Sequence, residues 1–180
     1  AIDAGAFADR KDITSLSIPA SVTSAAGVLE GCASLETLKI SDKVTGFTMK
    51  SLFNVSSWSG IPTSLTTIEF HQGFTAFPDA FFAGATRAYR VILPEGMTDL
   101  PSFEDNRVIS SIKVPSGVTS IGSSAFYGCS SLTSVSIPES VTSIGRYAFE
   151  KCSSLSSIAI PSGVTSIGES AFSGCSSLTS

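Results

Sequence analysis

A 23-residue phrase repeats along this chain, and towards the C-terminal end the copies are nearly verbatim. Residues 118–140 read VTSIGSSAFYGCSSLTSVSIPES and residues 141–163 read VTSIGRYAFEKCSSLSSIAIPSG; residues 164–180 begin the phrase a third time. A fixed period in this range constrains the chain to a solenoid. One repeat alone is too small to bury its apolar side chains and must stack on its neighbours.

Three tracks carry the phase backwards. The first is a Val at positions 118, 141 and 164, continued upstream by Met97, Phe74, Val44 and Val22. The second is an aromatic eight residues later, at Phe82, Phe126, Phe149 and Phe172, with Phe7 and Phe103 in line and Leu29 and Leu52 in its place elsewhere. The third is an L-x-x-I-x-I stretch with seven copies: Ile13/Leu16/Ile18, Leu35/Leu38/Ile40, Leu65/Ile68/Phe70, Ala88/Val91/Leu93, Ile109/Ile112/Val114, Leu132/Val135/Ile137 and Leu155/Ile158/Ile160. Residues 1–180 therefore read as a single solenoid of seven to eight repeats. Residues 54–61, NVSSWSGI, form an insertion, and the repeat around Leu100–Phe103 is shortened.

Within each repeat, apolar residues two apart alternate with small polar ones, which predicts a short strand. Proline follows at Pro19, Pro94, Pro115, Pro138 and Pro161; lacking an N–H, it should end the ladder there. The A-F-x-G-C segment is too short for a free helix and suits a turn of α- or 3₁₀-helix packed under the next layer. With roughly 1.5–3 kcal/mol from each large side chain fully buried, the stack offsets its chain entropy. The expected object is an arc with a parallel sheet on its concave face and short strands, turns or helical turns on its convex side.

The stretch L-x-x-I-x-I with this period resembles leucine-rich repeats. The fuller phrase, with Pro after the strand, A-F-x-x-C and S-S-L, is similar to the BspA-like class, also called the Treponema pallidum type. Where the common pattern places Asn or Cys after its third apolar position, this chain has Lys43, Gly117 or Ser140, and its Cys precedes the strand instead. Both departures are those of the BspA-like class. The resemblance implies a secreted or surface-exposed protein of adhesin type, without enzymatic activity, that binds host matrix or cell-surface proteins. The repeat motif carries no functional residues to transfer.

Charged residues make up 14% of the chain and the net charge is −4, against the clustered Lys and Arg that nucleic-acid binding needs. No run of about 18 apolar residues predicts a membrane span. The chain starts and stops inside repeats without polar caps, so it reads as part of a longer protein, and its extracellular or cell-surface placement rests on the resemblance. The C-terminal residues 108–180 sum to zero charge, so the net charge lies in the degenerate N-terminal part, where individual residues have room to serve a task.

Cys32, Cys129, Cys152 and Cys175 share one phase and should form a column of small buried hydrophobes. A disulfide between layers would need an oxidising compartment and suitable Cβ spacing. Their spacing matches no C-x-x-C pair, so neither metal nor cofactor is expected. His71, the only histidine, replaces the post-strand proline, and a dyad with Glu69 on the same strand would be its one catalytic option. No nucleophile elbow or carboxylate pair accompanies it, and surface residue or binding contact is the reading adopted.

The candidate site is the outward face of the strands. It is small and featureless at both ends, with Ser15, Ser17, Ser134, Ser136, Ser157 and Ala159. Its middle carries Thr37, Lys39, Thr67, Glu69, Arg90, Ile92 and Lys113, with His71 just beyond. This mixed-charge patch suits an extracellular protein ligand, with a glycan as the second ligand class. Trp58 either anchors a partner or packs the insertion onto the stack. Asn54-Val55-Ser56 is a glycosylation sequon if the host is a eukaryote. The alternatives to an interaction module are a structural spacer and a targeting arm of a larger surface protein or secreted hydrolase.

Overall fold

The period-2 stretches form short parallel strands in the computed structural model, which describes residues 2–19, 21–22, 25–41, 48–73 and 87–180. Lys43, Val44, Phe74 and Phe82 of the expected tracks lie outside the described residues. The chain divides into two compact units, Ala1–Tyr89 and Arg90–Ser180, each a parallel-sheet solenoid.

In the first unit β1 (Ser15–Ser17), β2 (Thr37–Ile40) and β3 (Thr67–Phe70) pair in parallel, with Leu16, Leu38 and Ile68 in one register row. Leu38, Ile40, Ile68 and Phe70 point inward and are buried. Between β2 and β3 lie the helical turn α1 (Met49–Leu52) and a 3₁₀ turn at Trp58–Gly60. Thr48 caps α1 by accepting from the Ser51 N–H, while Ser51 Oγ accepts from the Thr48 N–H in return. This reciprocal bond holds so short a helix in place.

β4 (Tyr89–Ile92) begins at the division between the units. In the second unit it neighbours β5 (Ile109–Lys113), which pairs through Ile112↔Val135 with β7 (Ser134–Ser136). The V-x-x-I step supplies a second, three-stranded parallel sheet of β6 (Ser120–Ile121), β8 (Ser143–Ile144) and β9 (Ser166–Ile167). Proline makes the corner between the two kinds of strand. The carbonyls of Pro115, Pro138 and Pro161 each accept from the N–H of the Val three residues on, at 3.1 Å. That is the closing bond of a β-turn, and it needs no donor from the proline.

The A-F-x-G-C segments depart from the expected helical turn. Apart from α1, which occupies the equivalent place in its repeat, the described copies are hydrogen-bonded turns. The reason is where their amides go. The N–H groups of Phe103, Phe126 and Phe149 donate to Ala125, Ala148 and Ala171 of the next layer at 2.7–2.8 Å, so they are not free to close helical bonds within the segment. Stacked in this way, the rings of Phe103, Phe126, Phe149 and Phe172 form a ladder with centroids 4.9, 5.1 and 5.4 Å apart and planes within 6° of parallel.

Cys32, Cys129 and Cys152 are buried as expected, Cys175 is part-exposed, and all four thiols are free, with one addition. Each thiol donates to the carbonyl of the aromatic-track residue one repeat earlier: Cys32 to Phe7, Cys129 to Phe103, Cys152 to Phe126 and Cys175 to Phe149, at 3.0–3.1 Å. Burial pushes the Cys152 thiol up to about 12, and raises Cys129 further. Ser and Thr hydroxyls do the same work at the rim. Thr133, Thr142, Thr165, Ser176 and Thr179 each donate to a carbonyl 23 residues earlier.

The seventh L-x-x-I-x-I copy differs from its expected strand. Residues 155–160 are irregular and Ile160 is exposed. The Ile158 N–H turns to the Ser180 carbonyl at 3.3 Å, and a segment at the end of a stack has one neighbour instead of two to fix its ladder. The same end leaves Ile167 51% exposed.

Candidate protein-interaction surface

In the first unit the register brings the outward residues into two rows, Ser15/Thr37/Thr67 and Ser17/Lys39/Glu69. Neighbouring parallel strands lie about 4.8 Å apart, so each row presents side chains at that spacing. Lys39 donates to Glu69 Oε1, and both side chains remain partly exposed. Such a pair contributes about 0–1 kcal/mol to stability, so its value to the fold is small and its groups stay available to a partner.

His71 does not form the weak dyad with Glu69, whose carboxylate goes to Lys39. Its ring instead places Nε2 2.9 Å from the Ile18 carbonyl and 3.2 Å from Ser17 Oγ. A carbonyl only accepts, so Nε2 carries the hydrogen. One clue to this bridge was legible, the loss of proline at position 71. Its backbone N–H donates to the Ile40 carbonyl at 2.8 Å, a bond that proline cannot make.

Of the two readings of Trp58, packing is the one the geometry bears out. The ring is 7% exposed and lies 6.2 Å from Tyr89, tilted by 49°, so it holds the insertion down and does not stand out as a contact. Tyr89 is fully buried, and Arg87 sits over its ring at 5.5 Å while donating to the Pro62 carbonyl. Sequence reasoning missed Tyr89, because the phase assigns the inner positions to Ala88 and Val91. Asn54 of the sequon donates through Nδ2 to Glu30 at 2.9 Å.

In the second unit Arg90, Ile92 and Lys113 come together on a groove of about 400 Å³ across β4, β5 and β7. Ile92 gives it an aliphatic side chain, Ser111, Ser134 and Ser136 supply hydroxyls, and Ile112 and Val135 face the core beneath. Lys113 pairs at 2.6 Å with Glu95, both well exposed (65% and 60%), and its ammonium holds the Glu95 carboxyl below the usual carboxylate range. Arg90 makes no ion pair among the described residues. No group of three His, Cys, Asp or Glu side chains suited to a metal ion occurs among those residues. None of their helices is long and apolar enough to cross a membrane.

The BspA type leucine-rich repeat region matches this chain in six copies, over residues 1–104 and 99–180. No curated protein matches it. A leucine-rich cell surface protein from Faecalibacterium prausnitzii is similar in structure, with 25% identity and a TM-score of 0.50 over 93% of this chain and 47% of that one. The chain thus spans about half the length of that relative. The leucine-rich repeat protein of T. pallidum matches 92% of this chain and 78% of its own, with 21% identity and a TM-score of 0.51, a likeness of fold.

Proposed function

Since the chain belongs to the BspA-type leucine-rich repeat family, we propose that it is a non-catalytic interaction module of a secreted or cell-surface, adhesin-like protein. Its strand faces bind extracellular proteins of a host or of neighbouring cells. The family is generally a repeat scaffold without catalysis, and its fold suggests protein partners. The observation that carries the reading is the placement of charge. Lys39, Glu69, Arg90 and Lys113 stand on outward strand positions whose inward neighbours are buried, while flanking copies present Ser. Affinity on such a surface comes from preorganisation, because little side-chain or loop ordering remains to be lost. The net charge of −4 and the acidic residues interleaved with the cations argue against nucleic acid as a partner. The F. prausnitzii relative is a cell surface protein, which supports the extracellular placement.

The test is a binding screen of the 180-residue chain against matrix proteins and glycans. It is followed by the triple change Lys39→Ala, Arg90→Ala and Lys113→Ala. A protein ligand should be lost by at least about tenfold, roughly 1.4 kcal/mol, while thermal stability stays near that of the parent. A ligand indifferent to the triple change would remove the strand face from the argument. The spacer reading has its own support over residues 118–180, where Thr133, Thr142 and Thr165 spend their hydroxyls on bonds between layers. It predicts that the screen finds nothing.

A further inference from the structure

Resting on that reading, we infer that the groove over β4, β5 and β7 takes an extended acidic peptide segment with alternating aliphatic residues. Three observations converge. The first is charge: Arg90 and Lys113 against Glu95 leave the groove net positive, although residues 90–180 carry five Lys and Arg against seven Asp and Glu. The positive charge is thus local, and complementarity to an acidic ligand is confined to this groove.

The second is availability. The Arg90 side chain is exposed and unpaired among the described residues, and the Lys113–Glu95 pair is open to solvent on both sides. An incoming carboxylate meets a guanidinium with its donors free and an ammonium held by a weak, exchangeable partner. The third is the lining. Ile92 offers aliphatic contact, and Ser111, Ser134 and Ser136 can donate to or accept from a peptide backbone. Sugar rings are commonly gripped by aromatic faces, and no aromatic side chain among the described residues lines this groove. The ligand chemistry is therefore a carboxylate on Arg90 beside a Leu- or Val-like side chain over Ile92.

The probe is the capped hexapeptide Gly-Glu-Leu-Glu-Leu-Gly, titrated to about 5 mM so that weak binding registers, into the ¹⁵N-labelled chain with amide shifts as the readout. Its Gln counterpart and 3′-sialyllactose run in parallel. The acidic peptide should move amides at 90–92, 111–113 and 134–136 and lose affinity as salt is raised, since exposed charges are screened. The Gln peptide should bind at least about fivefold more weakly. Arg90→Ala should weaken the acidic peptide by a similar factor. Glu95→Gln, which frees Lys113, should tighten it about twofold or more.

Equal binding of the Gln peptide, shifts elsewhere, no shifts, or a weaker complex with Glu95→Gln each overturn the inference. Tighter binding of sialyllactose at the same amides overturns the peptide and points to acidic glycans. A protein ligand that is lost with Lys39→Ala but untouched by Arg90→Ala would sink this groove and leave the broader reading standing.

Discussion

Gly122, Gly145 and Gly168 occupy one phase of the repeat, so the sequence treats them alike. The structure does not. A Cβ on Gly145 would lie 2.5 Å from the Ser123 amide nitrogen and 2.7 Å from the Gly122 carbonyl carbon, well inside the 3.4 Å at which ordinary contact begins. On Gly122 it would meet nothing within 4 Å. At position 145 the atoms in the way are backbone, so relief requires one layer to move off another. Overpacking of that kind costs about 1–3 kcal/mol. The same movement stretches the bond from the Gly145 N–H to the Ile121 carbonyl, now 2.8 Å, for about 1 kcal/mol more. Gly145→Ala should therefore cost about 2–4 kcal/mol. Gly122→Ala should be neutral or gain about 0.4–1 kcal/mol by restricting the unfolded chain. For a chain of this size the two variants should separate by roughly 4–20 °C in melting temperature, read by circular dichroism and checked by urea denaturation. Equal melting temperatures would refute the argument that layer-to-layer contact, and not a preference of the phrase itself, excludes a side chain at position 145.

Other perturbations follow the same geometry. Phe126→Ala should cost about 3–5 kcal/mol, because its ring is buried between two stacked neighbours; Phe172→Ala, half-buried with one neighbour described, should cost less than half as much in chemical denaturation. Trp58→Ala should cost about 3 kcal/mol and leave ligand affinity of the folded fraction unchanged, which calorimetry on both variants would check. Burial raises the Cys152 thiol from 9.0 to about 12. The folded state therefore favours the neutral thiol, and the stability held below about pH 9 should fall as pH rises towards 12. A melting temperature flat over that window would contradict it. Iodoacetamide at neutral pH should label the part-exposed Cys175 before Cys129 or Cys152, as peptide mapping would show.

Much of this fold was legible because the repeat makes each side chain's environment a matter of phase. Leu38, Ile68 and Ile112 fall inward and Lys39, Glu69 and Lys113 outward as the alternation requires. What the phase hides is anything set by a neighbour's backbone. The A-F-x-G-C turns give their amides to the next layer, a bond that depends on stacking and leaves no mark on the local pattern. Tyr89 is buried because the insertion supplies Trp58, thirty-one residues away in sequence, as its cover. In the candidate site the residues were readable and their partners were not. Position 71 announced an exception by losing proline, yet nothing local said that its ring would reach Ile18. Likewise the Lys113–Glu95 pair joins different repeats, and only the stacked structure makes them adjacent.

Among the described residues, the thiols and rim hydroxyls that clip layers together donate in one direction, from a later repeat to a carbonyl 22–26 residues earlier, or 29–31 at Ser64, across the insertion. For a chain emerging from the ribosome, this means that each repeat arrives with its side-chain donors on an acceptor surface already in place. The loop to be closed is one repeat long however many repeats precede it. Folding speed depends on the sequence separation of contacts, so lengthening such an array adds reach without adding a slower search. The in-phase copies at residues 118–163 are the form in which a gene could extend the molecule at no kinetic penalty.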